Sequence, residues 1–323
     1  MWSMCSPPPS PPADPRPSTA PHLEELMITT APAVAWIGLG AIGAPMARAL
    51  AGAGLPLTAY DLFPAAREAI AEVAATAATA REAVRGADVV AVMVATPEQL
   101  DEVLFGEDGI ASELTGETVL LIMSTVGPAA VDAAAARLAP VTSRIVDAPV
   151  SGGAARAADG DLLVMVGGAE ADVAAVRPVL DALASNAPVV GPRPGDGQRF
   201  KIVNQLLCGV HIAAAGEALA LADAMDLDLH QVHEVLGTDA AASFMFEDRG
   251  RRMVDGAFDD VRSALTIFVK DMGLVTETAA QVSQEVPLAA SAQGLFRRGS
   301  ELGWDRRDDS IVYQVLRGGD PEP

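Results

Sequence analysis

Lys201 and Asn204 stand one helical turn apart in the run Gly195-Asp196-Gly197-Gln198-Arg199-Phe200-Lys201-Ile202-Val203-Asn204. Phe200, Ile202 and Val203 are apolar, and burying an ammonium group is costly, so a lysine among them calls for a reason. Asn204 at i+3 shares its face. A lysine whose pKa is lowered by burial can give a proton to a carbonyl oxygen or take one from a hydroxyl. Alone, it would read as a surface lysine on an amphipathic helix. Two further stretches keep it company. Ser151-Gly152-Gly153, closing Asp147-Ala148-Pro149-Val150-Ser151-Gly152-Gly153, offers successive N–H groups and a hydroxyl, a nest suited to a carboxylate. In isolation Ser-Gly-Gly is an ordinary loop. Gly38-Leu39-Gly40-Ala41-Ile42-Gly43 follows an apolar run and opens a helical one, the context in which such a turn holds a dinucleotide pyrophosphate at a helix N-terminus. A cofactor turn, an anion cradle and a proton donor are the parts that move a hydride between a dinucleotide and a small hydroxy acid.

In the turn, Gly38 allows the tight bend, Gly40 lets the pyrophosphate approach the backbone, and Gly43 lets helix and strand pack closely. Asp61 ends the next strand, 23 residues after Gly38. A carboxylate there accepts from the adenine-ribose hydroxyls and repels a 2′-phosphate, which favours NAD. Arg67, a turn further on, is the nearby cation that leaves NADP as an alternative. Met93 and Val94, at the end of a third strand, are further candidate cofactor contacts. Thr125 ends another strand, where its hydroxyl either touches the nicotinamide ribose or caps the following helix. Lys270-Asp271 alone is a charged pair on a helix.

These residues need a scaffold of alternating strands and helices. Val34 to Ile37, Leu57 to Tyr60, Val89 to Val94, Thr118 to Met123 and Ser143 to Asp147 read as strands, with Leu162 to Val166 and Val189 to Val190 extending the sheet. Pro45 to Gly52 and Ala65 to Val73 read as helices between them. Alternation of this kind predicts an α/β domain, a doubly wound parallel sheet of the Rossmann type. After Pro194 the pattern turns all-α. One proline-free stretch runs from Asp196 to Met225, followed by helices over 229–236, 244–253, 266–282, 287–303 and 309–316. The expected organisation is a Pro-rich disordered tail over 1–30 and a nucleotide-binding domain over 31–194. An all-α domain over 195–318, joined through the long helix, and a short tail over 319–323 complete it. There is no internal repeat and no basic recognition helix.

At 323 residues, half of them apolar, the chain can bury two cores. A net charge of −21 argues against nucleic acid or an anionic membrane as partner, and no apolar run reaches the roughly 18 residues that span a bilayer. Two cysteines, Cys5 and Cys208, make no disulfide framework and point to the cytoplasm. Met27 lies shortly before the first strand, so a start there is an alternative to Met1. His211 and His233 have no metal-ligand spacing with acids, and no metal is expected.

In order and spacing, Gly38 to Ala47, Asp147 to Gly153, Gly195 to Asn204 and Lys270 to Gly273 resemble the β-hydroxyacid dehydrogenases, which include 3-hydroxyisobutyrate dehydrogenase and tartronate semialdehyde reductase. The resemblance spans roughly Val34 to Leu316. It implies a Rossmann domain, an all-α domain used for dimerisation or tetramerisation, and an active site between them. By position Lys201 matches the family's catalytic lysine, and Ser151, Gly152, Gly153 and Asn204 its substrate-binding residues. Thr125 and Lys270 match cofactor-side contacts, with Asp271 beside them. The second half, through residues 205–215, 243–247 and 308–310, looks most like the L-threonate and D-erythronate 2-dehydrogenases. That subgroup tends to carry histidine where this chain has Asn204, and many relatives have a polar side chain at Ala242. The resemblance implies a small hydroxycarboxylic acid, with a four-carbon sugar acid leading. Alternatives are a 3-hydroxyisobutyrate or tartronate semialdehyde enzyme, an imine reductase, or a cofactor-binding protein without catalysis. The last two classes tend to lose the lysine.

Overall fold

A computed structural model describes residues 31–318; the tails expected over 1–30 and 319–323 lie outside the described residues. Strands β1 (Val34–Ile37), β2 (Leu57–Tyr60), β3 (Ala75–Thr76), β4 (Val89–Val92), β5 (Val119–Ile122) and β6 (Ile145–Asp147) pair in the order 3-2-1-4-5-6, all parallel. This is the strand order of a doubly wound dinucleotide-binding sheet. Strands β1, β4 and β5 are apolar at every position because helices cover both faces. Alternate side chains go to opposite cores. Val34, Trp36, Val89, Ala91, Val119 and Leu121 join one, and Ala35, Ile37, Val90, Val92, Leu120 and Ile122 the other.

The far edge departs from the expected parallel sheet. The run expected as one strand over 162–166 splits at Met165 into β8 (Leu162–Val164) and β9 (Val166–Gly167). Strand β8 lies in a separate three-stranded sheet, antiparallel to β7 (Val150–Ser151) and parallel to β10 (Ala184–Asn186). Strand β7 prolongs β6, and β8 returns against β7. Strand β9, continuing β8, therefore runs antiparallel to β6. Strand β11 (Val189–Gly191) pairs parallel to β9 at the edge of the main sheet.

The remainder is helical. The helix expected over 65–73 is regular only over Pro64–Glu68. That expected over 244–253 is a π-turn, Phe246–Gly250, running into Arg251–Asp255. The helix Asp196–Ala224 is 29 residues long. It packs on Leu265–Gln281, Pro287–Glu301 and Val312–Arg317 on one side and reaches β9 and β11 at its start. At Gly209 a Cβ would stand 2.3 Å from Met272 Sδ, so the absence of a side chain sets how closely the helix Leu265–Gln281 can approach. By length and composition this helix is apolar enough to cross a bilayer, although charged and amide side chains interrupt its apolar residues. Its apolarity serves a core instead. Ile202, Ile212, Ala213 and Leu219 pack with Phe268, Met272, Phe296 and Val312.

Candidate active site

The cofactor turn lies where the strand order reverses, between β1 and β4. Gly38 N donates to Tyr60 O at 2.9 Å and Met93 N to Ile37 O at 2.8 Å, so the turn is seated against both neighbouring strands. Gly38 has φ of +104°, and a Cβ there would stand 2.1 Å from Met93 O. A Cβ on Gly43 would stand 2.2 Å from Gly38 O. Gly40 differs: a Cβ there meets nothing within 4 Å. This open ground lies before the helix Gly43–Gly52, whose N-terminal end favours a phosphate through its dipole. Leu39 and Ile42 turn into the core beneath, and Ala41 is exposed.

Asp61 is braced onto this turn. Its Oδ2 accepts from Leu39 N at 2.7 Å and its Oδ1 from Phe63 N at 2.9 Å. Arg67 is also engaged, donating to the Asp61 and Leu62 carbonyls with its guanidinium 5.4 Å from the Tyr60 ring centre. Across the crevice, Val94 N donates to Ser124 Oγ at 2.7 Å, and Lys270 Nζ donates to Thr125 O at 2.7 Å. The residues present thus fit an NAD-type dinucleotide.

Two buried groups that sequence reasoning did not single out lock the long helix to the sheet. Asp147 ends β6, fully buried, and accepts from Gly195 N at 2.8 Å and Gln198 N at 2.7 Å. Burial pushes its carboxyl up to about 7 against these bonds and a third from Gly197. Gln198, also fully buried, accepts from Val126 N at 3.1 Å and Gly127 N at 3.0 Å and donates to Ser124 O at 2.9 Å. It thereby fixes the loop that carries Thr125. Its spacing, three residues before Lys201, is the signal that would have placed it on the same face. Gln198→Leu strips partners from two buried N–H groups and one carbonyl, each costing about 1–3 kcal/mol. The expected loss of unfolding free energy is at least about 3 kcal/mol by denaturant titration. An unchanged midpoint would contradict this role.

Lys201 lies one turn further along, 5% exposed. None of the described residues hydrogen-bonds its Nζ. Burial holds its pKa below the ordinary lysine value, opposed by the negative field of Asp271 and assisted by the charge of Lys270. Asn204 Nδ2 donates to Gln205 Oε1 at 2.8 Å, and Gln205 Nε2 donates to Asp271 Oδ2 at 2.5 Å. Asp271 Oδ1 is 2.8 Å from Lys270 Nζ, close enough for an ion pair although the angle does not make a hydrogen bond. A continuous series of contacts therefore runs from Asn204 to Thr125. Gln205 and Asp271, its middle members, were not among the expected site residues.

Ser151, Gly152 and Gly153 stand apart from that series. Ser151 pairs with Leu163 in the small sheet, and Gly152 and Gly153 have φ of +144° and +75°. Asp147, four residues before Ser151, is their link to the long helix. Ala242 lies exposed in a turn. His233 Nε2 is 3.2 Å from Phe246 O, and its ring stacks on Phe246. Among the described residues no group of three or more His, Cys, Asp or Glu side chains is placed to hold a metal ion.

A glycine turn seated where the strand order of a doubly wound sheet reverses defines a dinucleotide-binding protein. Residues 33–191 match the model of the NAD binding domain of 6-phosphogluconate dehydrogenase. Residues 195–316 match that of the NAD-binding domain of NADP-dependent 3-hydroxyisobutyrate dehydrogenase. The L-threonate dehydrogenase of Pectobacterium atrosepticum is 40% identical over 288 residues, 88% of this chain and 94% of that protein. The 2-hydroxy-3-oxopropionate reductase of Escherichia coli is 34% identical over 282 residues, 87% of this chain and 96% of that one. A crystal structure of a 3-hydroxyisobutyrate dehydrogenase from Salmonella typhimurium superposes with a TM-score of 0.80 at 41% identity, covering 87% of this chain and 99% of that one. The chain belongs to the 3-hydroxyisobutyrate dehydrogenase-like family of β-hydroxyacid dehydrogenases. It is an NAD(P)-binding oxidoreductase that oxidises a small hydroxy acid.

Proposed function

We propose that the protein is an NAD-dependent dehydrogenase of four-carbon sugar acids of the L-threonate type, with Lys201 as its general base. One observation carries the reading: a lysine 5% exposed, its pKa lowered by burial, stands on the helix that is clamped to the Thr125 loop. A bound NAD supplies the acceptor for the hydride. The protein does the rest. Gly38 to Gly43 seat the pyrophosphate, Asp61 meets the ribose hydroxyls, and Met93, Val94, Thr125 and Lys270 border the nicotinamide end. The nest at Ser151, Gly152 and Gly153 holds the carboxylate, and Asn204 orients the substrate. Neutral Lys201 Nζ takes the hydroxyl proton as the carbonyl forms, and returns it in the reverse direction.

Residues 31–194 carry most of the cofactor in this scheme, and residues 195–318 supply Lys270 and the proton-transfer helix. Relatives named L-threonate dehydrogenase support the substrate, against the 3-hydroxyisobutyrate dehydrogenase name carried by the Salmonella typhimurium structure. NADH formation by the purified protein with L-threonate, D-erythronate, 3-hydroxyisobutyrate and D-glycerate tests the choice. Preference for the four-carbon acids is expected. Preference for 3-hydroxyisobutyrate would move the protein to the alternative.

The protein acts as a homodimer or homotetramer through its helical domain. Phe200, Val203 and Leu207, 55%, 61% and 49% exposed, line an outward face of the long helix and support this assembly. Free Cys208 suits a reducing cytoplasm.

A further inference from the structure

We propose that Gln205 sets the polarity of Asn204, so that the asparagine meets the substrate with its carbonyl oxygen and selects acids bearing a hydroxyl on the carbon next to the one oxidised. This rests on the sugar-acid reading above and narrows it.

The polarity begins at Asp271. This carboxylate, 2% exposed and 2.8 Å from Lys270 Nζ, can only accept. Gln205 must therefore turn its Nε2 toward Asp271 Oδ2, and its amide plane then points Oε1 the other way. That oxygen also only accepts, so Asn204 must offer Nδ2, and does so at 2.8 Å. The second Nδ2 proton is taken by Cys208 Sγ at 3.5 Å. Both donors of Asn204 are spent within the protein. None of the described residues donates to its Oδ1, which is left as the recognising atom.

An acceptor recognises an O–H group and repels a carboxylate. The substrate carboxylate thus falls to the Ser151 to Gly153 nest, and Asn204 reads a hydroxyl. Residues 201, 204, 205 and 208 occupy one helix face, so Asn204 stands beside Lys201 on it. With Lys201 at the reacting hydroxyl, the hydroxyl on the adjacent carbon is the one within reach of the next turn. The selected class is 2,3-dihydroxy acids. Gln205 is a positioning residue that touches neither substrate nor cofactor.

The test compares L-threonate with its 3-deoxy analogue, 2,4-dihydroxybutanoate, as substrates of the wild type and of Gln205→Met, with NAD affinity measured alongside. A site that hydrogen-bonds a substrate hydroxyl rejects the analogue lacking it strongly, so wild-type kcat/KM should differ by at least ~10². In Gln205→Met the Asn204 amide is free to turn over, and the ratio should fall below about tenfold, chiefly through a higher KM for L-threonate. NAD affinity should stay within twofold. If Gln205→Met fails to fold, isosteric Asp271→Asn removes the anion that orients Gln205 and should lower the ratio likewise. An unchanged ratio in a variant that binds NAD normally overturns the proposal. Equal turnover of both acids by the wild type overturns it too, leaving the sugar-acid reading intact. Turnover of neither acid overturns both.

Discussion

Lys201→Ala should lower kcat for hydroxyacid oxidation by at least ~10², the ordinary worth of a positioned general base, while NAD binds within about twofold of the wild type. The side chain stands in the proton path of the proposed reaction, whereas the cofactor turn lies on the sheet between β1 and β4. A loss of fold is not the expected cause. Lys201 makes no hydrogen bond among the described residues, alanine is a good helix former, and removing a buried ammonium relieves a desolvation cost. The melting temperature should therefore hold or rise. The wild-type pH profile gives an independent reading. Only neutral lysine accepts a proton, so kcat/KM for oxidation rises with pH through the Lys201 pKa and then levels. Because burial lowers that pKa, the inflection should fall below the ordinary value of about 10.4. Turnover near that of the wild type in the alanine variant would remove Lys201 from the mechanism.

Gly38→Ala should be damaging for a different reason. The backbone at Gly38 has φ of +104°, and the added methyl would stand 2.1 Å from Met93 O, a main-chain atom held in the sheet. The left-handed conformation costs about 1–2 kcal/mol, and overpacking adds roughly 1–3 kcal/mol. Relief requires β1 and β4 to part at the Met93 N to Ile37 O bond, which displaces the pyrophosphate turn. A fall in stability of about 2–5 kcal/mol, with NAD affinity reduced at least tenfold, is expected by thermal unfolding and equilibrium titration. Gly40→Ala is the control, since its Cβ meets nothing within 4 Å. That variant should melt like the wild type and still bind NAD weakly, because its methyl fills the space the pyrophosphate approaches. Equal NAD affinity in Gly40→Ala and wild type would displace the pyrophosphate from this turn.

The parts of this molecule legible in its sequence are those governed by local physics. Strands β1 and β2 fall at Val34–Ile37 and Leu57–Tyr60 as their apolar runs predict, and the helix Leu229–Leu236 does the same. Lys201 declared itself because a charge among apolar neighbours is costly wherever the chain puts it. The antiparallel edge did not. Whether residues 162–167 form one strand or two depends on β7, two residues long, which lies in the other sheet and has no periodicity to read. Gln205 and Asp147 were illegible as site residues, and the spacing of Gln198 gave its face but not its role, for a related cause. Amides and acids are common on helices and strand ends, and their roles come from partners 48 to 74 residues away.

The junction between sheet and helices also bears on how substrate is admitted. Pivoting there would tear Asp147 from the Gly195 and Gln198 amides and Gln198 from the Ser124 to Gly127 loop, in a place sealed from water. The elbow is welded, and the turn of helix that bears Lys201 moves as one piece with the sheet. Admission then belongs to the rim of the crevice, and the distance over which the hydride passes is set by the framework before any substrate arrives.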